Sequence, residues 1–537
     1  MTDNYIFQGL PKEGREERLT LSPDADGQVT IAFCPPEKLV SYCWPGREFL
    51  LSAEDVQLQV ERGYFFPLSF LTFVYQTCGY TLLLESDFNG LQLTKAGSEL
   101  SIRLRYPAGV TEARLRICRH RPDWHEGLAA YRRWREGHLP ASALRGTLRG
   151  HFHIKRYFFH EELCKRHARA ADGSCHLSEQ WQEDRQLAGV DTLLLFDHSY
   201  RKEGNLRCGL ADPLEGLSDL EGLSDLEGLR EQIRDIQEQG GKVFAYFDPY
   251  LVDEGSDMAE RQGRKTAIKG ADGEIARIWG ASSWHPCLTL AGWQRDSAAY
   301  IRRIVRNLPV DGIYLDELGN GTQYHCHDYS HGHPNFRQTE AEAAYAKACL
   351  QAAPGRLSMC EFPPVDRMAG QFSAVLNDSA SLLDIYRFAM PEIKCFRVIN
   401  CDYPLGHNSF AVNRAFFNGE GLWLDNDLEN EEWYPADILR RIKAQYEVLK
   451  KYAGYFEAEE NRPLEGGGPI LINRFGPYHD CLLTAINATD TEQEILLPGP
   501  RKYQALYLGD GCRLQAEGSA CRLILTSKEV AAVSAKE

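Results

Sequence analysis

Two rhythms of apolar and polar positions divide the chain. Over residues 1–145, runs such as "GQVTIAFCPP", "VQLQVERGYFFPLSFLTFVYQ", "YTLLLES" and "SIRLRYPAGV" are β-branched or aromatic and punctuated by Gly, Pro and Asn. That pattern predicts successive short strands and an N-terminal β-sandwich domain. A polar helix, "PDWHEGLAAYRRWREGH", leads out of it. From 146 to 455 strand and helix patterns alternate. The strand candidates are "HIKRYFF", "DTLLLFD", "KVFAYFD", "DGIYLDE", "RLSMCEF", "LLDIYRF", "CFRVINCD" and "GLWLD". Between them, Tyr300, Ile301, Ile304, Val305 and Leu308 fall on one helical face, as do Ile438, Ile442, Tyr446 and Leu449. "TEAEAAYAKACLQAAPG" ends in a Pro-Gly stop. This alternation implies a parallel sheet, and eight strands imply a central α/β (β/α)8 TIM barrel. Residues 456–537 return to strands, including "GPILINRF", "DCLLTAINA" and "CRLILTS", which predicts a C-terminal all-β sandwich domain.

The stretch "LEGLSDLEGLSDLEGLR", residues 214–230, fits neither rhythm. Leucine every third residue drifts around a helix, and a glycine in every copy lowers helicity further. It reads as an irregular extension before the helix "LREQIRDIQEQGG".

The acids follow the strands. The second candidate ends in Asp197, the third in Asp248, the fourth in Asp316-Glu317 and the fifth in Glu361, with Asp384, Asp402 and Asp425 after the weaker later ones. In such barrels the C-terminal ends of the strands carry the active site. Surface turns would scatter acids over both ends, and only Asp191 and Asp311 stand at the N-terminal ends. Side chains alternate along a strand. With aliphatic Ile313 and Leu315 facing the helices, Tyr314 and Asp316 point inward, and Glu317 turns sideways or opens the following loop.

Aromatic residues occupy the loops around the same mouth: Tyr250, Trp279, Trp284, His285, Trp293 and Trp423. Flat apolar faces beside carboxylates suit a sugar, whose C–H faces pack on rings while its hydroxyls need polar partners. Asp197, Asp248, Tyr250, Trp284, His285, Tyr314, Glu317, Asp402 and Trp423 are therefore the candidate substrate-binding residues.

Bulk composition narrows the partners. A net charge of −16 over 537 residues argues against nucleic acid, which needs a basic footprint. No run of eighteen apolar residues is present to span a membrane. The N-terminus lacks a basic segment followed by an apolar one, so it does not read as a signal peptide, and the cytoplasm is the expected location. The sixteen cysteines are scattered without CxxC pairs and are expected as reduced thiols.

"GWQRDSAAYIRRIVRNLPVDGIYLDELG", followed one unit later by "RLSMCEF", resembles the fourth and fifth strand segments of (β/α)8-barrel retaining glycosidases. The α-amylase-like and endo-α-N-acetylgalactosaminidase-like barrels are the nearest in kind, with an uncharacterised glycosidase-like family as another home. The resemblance implies an aspartate nucleophile, Asp316, and a glutamate acid/base, Glu361. It also implies flanking β-sandwiches and no cofactor. Two departures stand out: Tyr314 replaces the arginine that α-amylase-like enzymes carry two residues before the nucleophile, and their third acid has only Asp402 to match it. The chemistry asks for such a pair independently: one carboxylate attacks the anomeric carbon and one carboxyl protonates the leaving oxygen, roughly 5–5.5 Å apart in retaining enzymes.

Two rival readings remain open. A metal-dependent barrel hydrolase would use "YHCHDYSHGHPNF", with His325, Cys326, His327, Asp328, His331 and His333 after the fourth strand, although the spacing matches no tetrahedral motif. His151 and His153 form a His-x-His pair, but they precede "IKRYFF" instead of standing at the C-terminal end of the first strand. A carbohydrate-binding barrel without catalysis is the other rival.

Overall fold

The computed structural model describes residues 5–6, 16–33, 38–40, 48–50, 56–62, 66–97, 99–107, 109–139, 146–158, 176–196, 226–254, 259, 263–277, 283–319, 326–333, 338–378, 381–400, 403–464, 469–497, 501–518 and 520–536. Asp197, Asp402, Trp279, His325 and residues 214–225 of the repeat lie outside them. The final copy of the repeat does not stay irregular: a helix spans Leu226–Glu238 and begins inside it.

Eight parallel strands close into a barrel. In chain order they are β1 (His153–Tyr157), β2 (Thr192–Leu195), β3 (Lys242–Phe247), β4 (Gly312–Leu315), β5 (Leu357–Cys360), β6 (Ala374–Asn377), β7 (Lys394–Val398) and β8 (Gly421–Leu424). Strand β1 pairs with both β2 and β8, which closes the ring. Alternation sorts each strand onto two apolar layers. Ile154, Leu194, Phe244, Tyr246, Tyr314, Met359, Leu376, Phe396 and Trp423 fill the interior. Leu193, Val243, Phe247, Ile313 and Leu315 face outward into a shell packed by helices such as Ala291–Asn307 and Ala436–Lys451. The interior is tight enough to demand glycine at the base of β4. A Cβ on Gly312 would lie 2.4 Å from Phe244 and 2.8 Å from Leu357.

One expected strand is replaced. "LLDIYRF" does not supply β6; it holds a short helix, Ile385–Ala389, whose first turn is capped by the Asp384 carboxylate accepting the Arg387 N–H at 3.2 Å. An Asp two residues into an apolar run is a helix N-cap signal as much as a strand end. The actual β6, "AVLN", is four buried residues with no polar alternation to betray it.

Two sheets precede the barrel. One contains Gln28–Phe33, Val56–Glu61, Gly90–Ala96 and Glu99–Arg105; the other contains Glu16–Leu21, Phe70–Val74, Gly79–Leu84 and Ala113–His120. Ile31, Leu71, Leu82, Leu93, Ile102 and Leu115 form the core between them. Helix Trp124–His138, capped by Asp123, buries Leu128, Tyr131 and Trp134 against the second sheet and the barrel. After the barrel, a five-stranded and a three-stranded antiparallel sheet enclose a further core of Ile472, Leu483, Leu523 and Val533. No helix among the described residues is long and apolar enough to cross a membrane.

The leading sheets are tied to the barrel by a buried charge. Asp366, in the segment following β5, accepts from Arg62 at 2.7 Å, the Ser69 N–H at 2.7 Å and the Tyr131 hydroxyl at 2.8 Å.

Candidate active site

The interior rows of the barrel strands continue one step past their last apolar residue. On β4 the row runs Gly312, Tyr314, Asp316; on β5 it runs Leu357, Met359, Glu361; on β6, Ala374, Leu376, Asp378; on β8, Trp423, Asp425. Alternation alone therefore brings these four acids to the C-terminal end over the aromatic floor, and with them Asp248, which follows Phe244 and Tyr246 on β3. The two acids at the opposite end are tied into the scaffold. Asp191 accepts the Phe152 N–H at 3.0 Å, while Asp311 accepts the Val243 N–H at 3.0 Å and pairs with Lys242 at 2.9 Å.

Asp316 is buried but not sealed, with 8% of its surface exposed. One carboxylate oxygen accepts from the Tyr314 hydroxyl at 2.8 Å and the other from the Tyr246 hydroxyl. The carboxylate is thus held by two phenols rising from the barrel floor, where Tyr246, Tyr314 and Trp423 pack ring against ring at 5.8 and 5.6 Å. Burial pushes the Tyr314 hydroxyl well above its usual range, and the charges of Asp316 and Glu361 push it further. Tyr314 stays protonated and can only donate to Asp316.

The chain then turns sharply. Glu317 adopts φ 55°, a left-handed conformation that a non-glycine residue takes at a cost. The turn aims the Glu317 N–H at the Glu361 carboxylate, 2.8 Å away. Gly319, at φ 100°, follows because a Cβ there would lie 2.4 Å from the Phe362 carbonyl oxygen. Burial raises the Glu361 carboxyl well above the ordinary carboxylate range, and the neighbouring charges of Asp316, Glu317 and Asp378 add to the shift. Asp316 and Glu361 are thus side by side on adjacent strands, with Glu361 biased toward its protonated form.

The remaining expected binders divide. Trp423 lies in the floor, and its indole N–H donates to Asp425 at 2.9 Å. Tyr250, Trp284 and His285 are buried. The Tyr250 hydroxyl donates to Glu342 at 2.6 Å, on the surrounding helix Gln338–Ala352. The His285 Nδ1–H donates to the Tyr250 carbonyl at 2.7 Å, and burial pushes the imidazole down to about 4, so it is neutral at pH 7. It lies 3.8 Å from Glu317. Asp248 is fully buried and accepts the Tyr250 N–H at 2.8 Å. These four residues build the wall behind the mouth; stacking a sugar needs an open aromatic face, and Tyr250 and Trp284 present none.

Three residues of the mouth went unnamed in the sequence reading. Arg156, on β1, is buried with its guanidinium 4.7 Å from the Phe196 ring, and it forms a two-pronged ion pair with Asp425 that includes a 2.8 Å contact. Tyr246 supplies half of the Asp316 cradle. Asp378 is exposed at the end of β6. Parity within "HIKRYFF" puts Arg156 on the face of Ile154 and Phe158, and parity within "KVFAYFD" puts Tyr246 with Phe244. Asp378 carries no such signal, because the buried run "AVLN" before it has no polar alternation to mark it as a strand.

Among the described residues, two clusters carry metal-ligating side chains whose donor atoms lie within 4.8 Å of one another: Cys287 with Cys326, His331 and His333, and Asp384 with Cys395 and Glu420. The second already holds a cation, because the buried Arg397 guanidinium reaches Glu420 at 2.8 Å and Asp384 at 3.3 Å. His153 is buried at the far end of the barrel, its Nδ1 bonded to the Ala188 carbonyl at 2.7 Å.

A family described as "Domain of unknown function (DUF6259)" matches residues 223–336, the stretch from the helix before β3 through the loop after β4. No curated protein matches the sequence. Solved structures share the fold over most of the chain. A variant of the GH36 α-galactosidase AgaA from Geobacillus stearothermophilus, in complex with raffinose, aligns with TM-score 0.64 at 11% identity, covering 94% of this chain and 76% of that one. The galactosidase domain of the α-galactosidase–sucrose kinase AgaSK aligns with TM-score 0.64 at 12% identity, covering 97% and 78%. The α-N-acetylgalactosaminidase NagBb from Bifidobacterium bifidum, in complex with GalNAc, aligns with TM-score 0.60 at 13% identity, covering 87% and 83%. The likeness to glycosidase barrels with flanking β-sheet regions holds at the level of fold.

Proposed function

We propose, starting from this likeness to glycosidase barrels, that the chain is a glycoside hydrolase that cleaves an α-linked sugar by a two-carboxylate retaining reaction. The observation that carries the reading is Asp316 at the end of β4, cradled by two phenols and facing the barrel mouth. Its carboxylate attacks the anomeric carbon, forming a glycosyl ester as the bond to the leaving oxygen breaks. A neighbouring carboxyl gives that oxygen its proton, then takes one from the water that hydrolyses the ester. The Tyr246 and Tyr314 hydroxyls hold the attacking group in one orientation, which favours a near-attack geometry. α-Galactosides and α-N-acetylgalactosaminides are the first substrates to try, because proteins of this fold bear those names.

Two carboxyls are candidates for the proton donor. Glu361 has the raised affinity for a proton that a general acid needs. Asp378 has a position in its favour: it follows Ala374 and Leu376 on the inward row of β6, two strands along from β4, and it is open to solvent.

The test is a panel of α- and β-glycosides, with Asp316→Asn beside the wild type. Cleavage of one glycoside and a dead variant support the reading. A panel with no cleavage, or an Asp316→Asn variant as active as wild type, rejects it. Glu361→Gln and Asp378→Asn are then compared on an aryl glycoside whose leaving group needs no proton, with and without azide. The donor variant retains glycosylation of the enzyme and is rescued by azide; the other is not.

A further inference from the structure

Cys287 stands in the long segment between β3 and β4, whereas Cys326, His331 and His333 stand in the loop after β4. Folding brings all four donor atoms within 4.8 Å of one another. The Cys326 Sγ is 3.3 Å from His331 Nδ1, and the Cys287 Sγ is 3.5 Å from His333 Nε2. Ligands on a tetrahedral zinc, at about 2.3 Å for sulfur and about 2.0 Å for nitrogen, lie roughly 3.3–3.8 Å from one another. The pairs therefore have the spacing of ligands around one ion.

The surroundings fit as well. The second nitrogen of His331, Nε2, lies 2.7 Å from the Lys265 carbonyl. A carbonyl can only accept, so Nε2 carries the proton and the lone pair is on Nδ1, the atom facing Cys326. Metal-bound histidines are held by this kind of outer partner. The Thr289 hydroxyl lies 3.0 Å from the Cys287 sulfur and is placed to donate to a thiolate. Both cysteines are buried against Ile268. A disulfide between them would leave two imidazoles converging on it for no reason.

We propose that Cys287, Cys326, His331 and His333 bind one zinc ion in a closed structural site that pins the segment before β4 to the loop after it. Two cysteines and two histidines fill a tetrahedron, so no position is left for a substrate or an activated water. The ion acts as a brace, and the metal-hydrolase reading of this histidine cluster gives way to a scaffolding one. The brace reaches the active-site wall through the backbone. The Cys287 N–H donates to the Thr266 carbonyl at 2.8 Å, and the Ile268 N–H donates to the His285 carbonyl at 2.7 Å. His285 in turn sits against Glu317, the residue whose N–H holds Glu361.

The experiment is metal analysis of the full chain, produced without a metal-affinity tag in zinc-supplemented medium, beside Cys287→Ser and His333→Ala. The wild type is expected to carry about one zinc per chain, and each variant less than about a tenth of that. If the variants fail to fold, the wild type is stripped with a chelator and reloaded with cobalt(II). Intense visible bands of tetrahedral cobalt with thiolate-to-cobalt charge transfer then support the site. A zinc-free wild type, octahedral cobalt spectra, or an intact mass two hydrogens light from a Cys287–Cys326 disulfide would overturn it. None of these readouts depends on glycosidase activity.

Discussion

Replacing Asp366 by Asn tests how the leading sheets and the barrel are joined. Asp366 and Arg62 are both fully buried and 2.7 Å apart, and the same carboxylate accepts from the Ser69 N–H at 2.7 Å, the Ser69 hydroxyl at 3.0 Å and the Tyr131 hydroxyl at 2.8 Å. Asparagine keeps the volume, so no cavity opens. It removes the charge that compensates Arg62 and turns an N–H toward donors that need an acceptor. Breaking one side of a buried pair costs about 3–5 kcal/mol. In a chain of 537 residues that lowers the unfolding temperature by about 3–5 °C. The pH dependence has a definite sign. Burial alone would raise the Asp366 carboxyl, but Arg62, the Ser69 N–H and the Tyr131 hydroxyl outweigh it and hold it below the usual range. Its stabilisation is therefore complete above the unfolded-state value of about 4 and fades as pH falls below that. Calorimetry of wild type and Asp366→Asn should show the full gap from pH 7 down to about pH 5, and a gap that closes in more acid solution. A variant that melts within about 1 °C of wild type at pH 7, or a gap that persists unchanged in acid, refutes the assignment.

Four further outcomes are expected. Tyr246→Phe removes one of the two phenol donors on Asp316; a charge-assisted hydrogen bond of about 1.5–3 kcal/mol implies a kcat/KM loss of about 10- to 100-fold, and an unchanged value would dissociate the cradle from turnover. If Glu361 is the proton donor, its raised affinity for protons sets the alkaline limb of the kcat/KM profile, which falls as pH rises through it. Glu361→Gln should lose that limb, and a limb that survives moves the role to Asp378. Arg397→Met leaves Asp384 and Glu420 buried without their cation, costing about 3–5 kcal/mol. Burial already raises Glu420 to about 8, and losing the guanidinium raises it further, so the deficit should stay level below about pH 7 and grow as pH rises through 8 on denaturant titration. Gly312→Ala places a methyl against Phe244 and Leu357 and should cost about 1–3 kcal/mol, read by thermal unfolding.

The alternation of strand and helix, the acids that follow the strands and the inward parity of Tyr314 and Asp316 are local properties. A period of two or of 3.6 is written in neighbouring residues, so the barrel and the row through Asp316 were legible in the sequence alone. β6 was not, because a four-residue strand buried on both faces has no polar alternation, while the Asp384 helix cap beside it imitates a strand end. Losing β6 hid Asp378. Side-chain chemistry suggested Tyr250, Trp284 and His285 as sugar contacts, but only packing shows them turned into the wall, with Tyr250 bonded to a helix about ninety residues onward. The Cys287 partnership with Cys326, His331 and His333 was likewise invisible, because its members come from loops on either side of β4. Sequence carries what neighbouring residues impose on the backbone. Which distant side chains share a few cubic ångströms is decided by closure of the barrel, which no local period encodes.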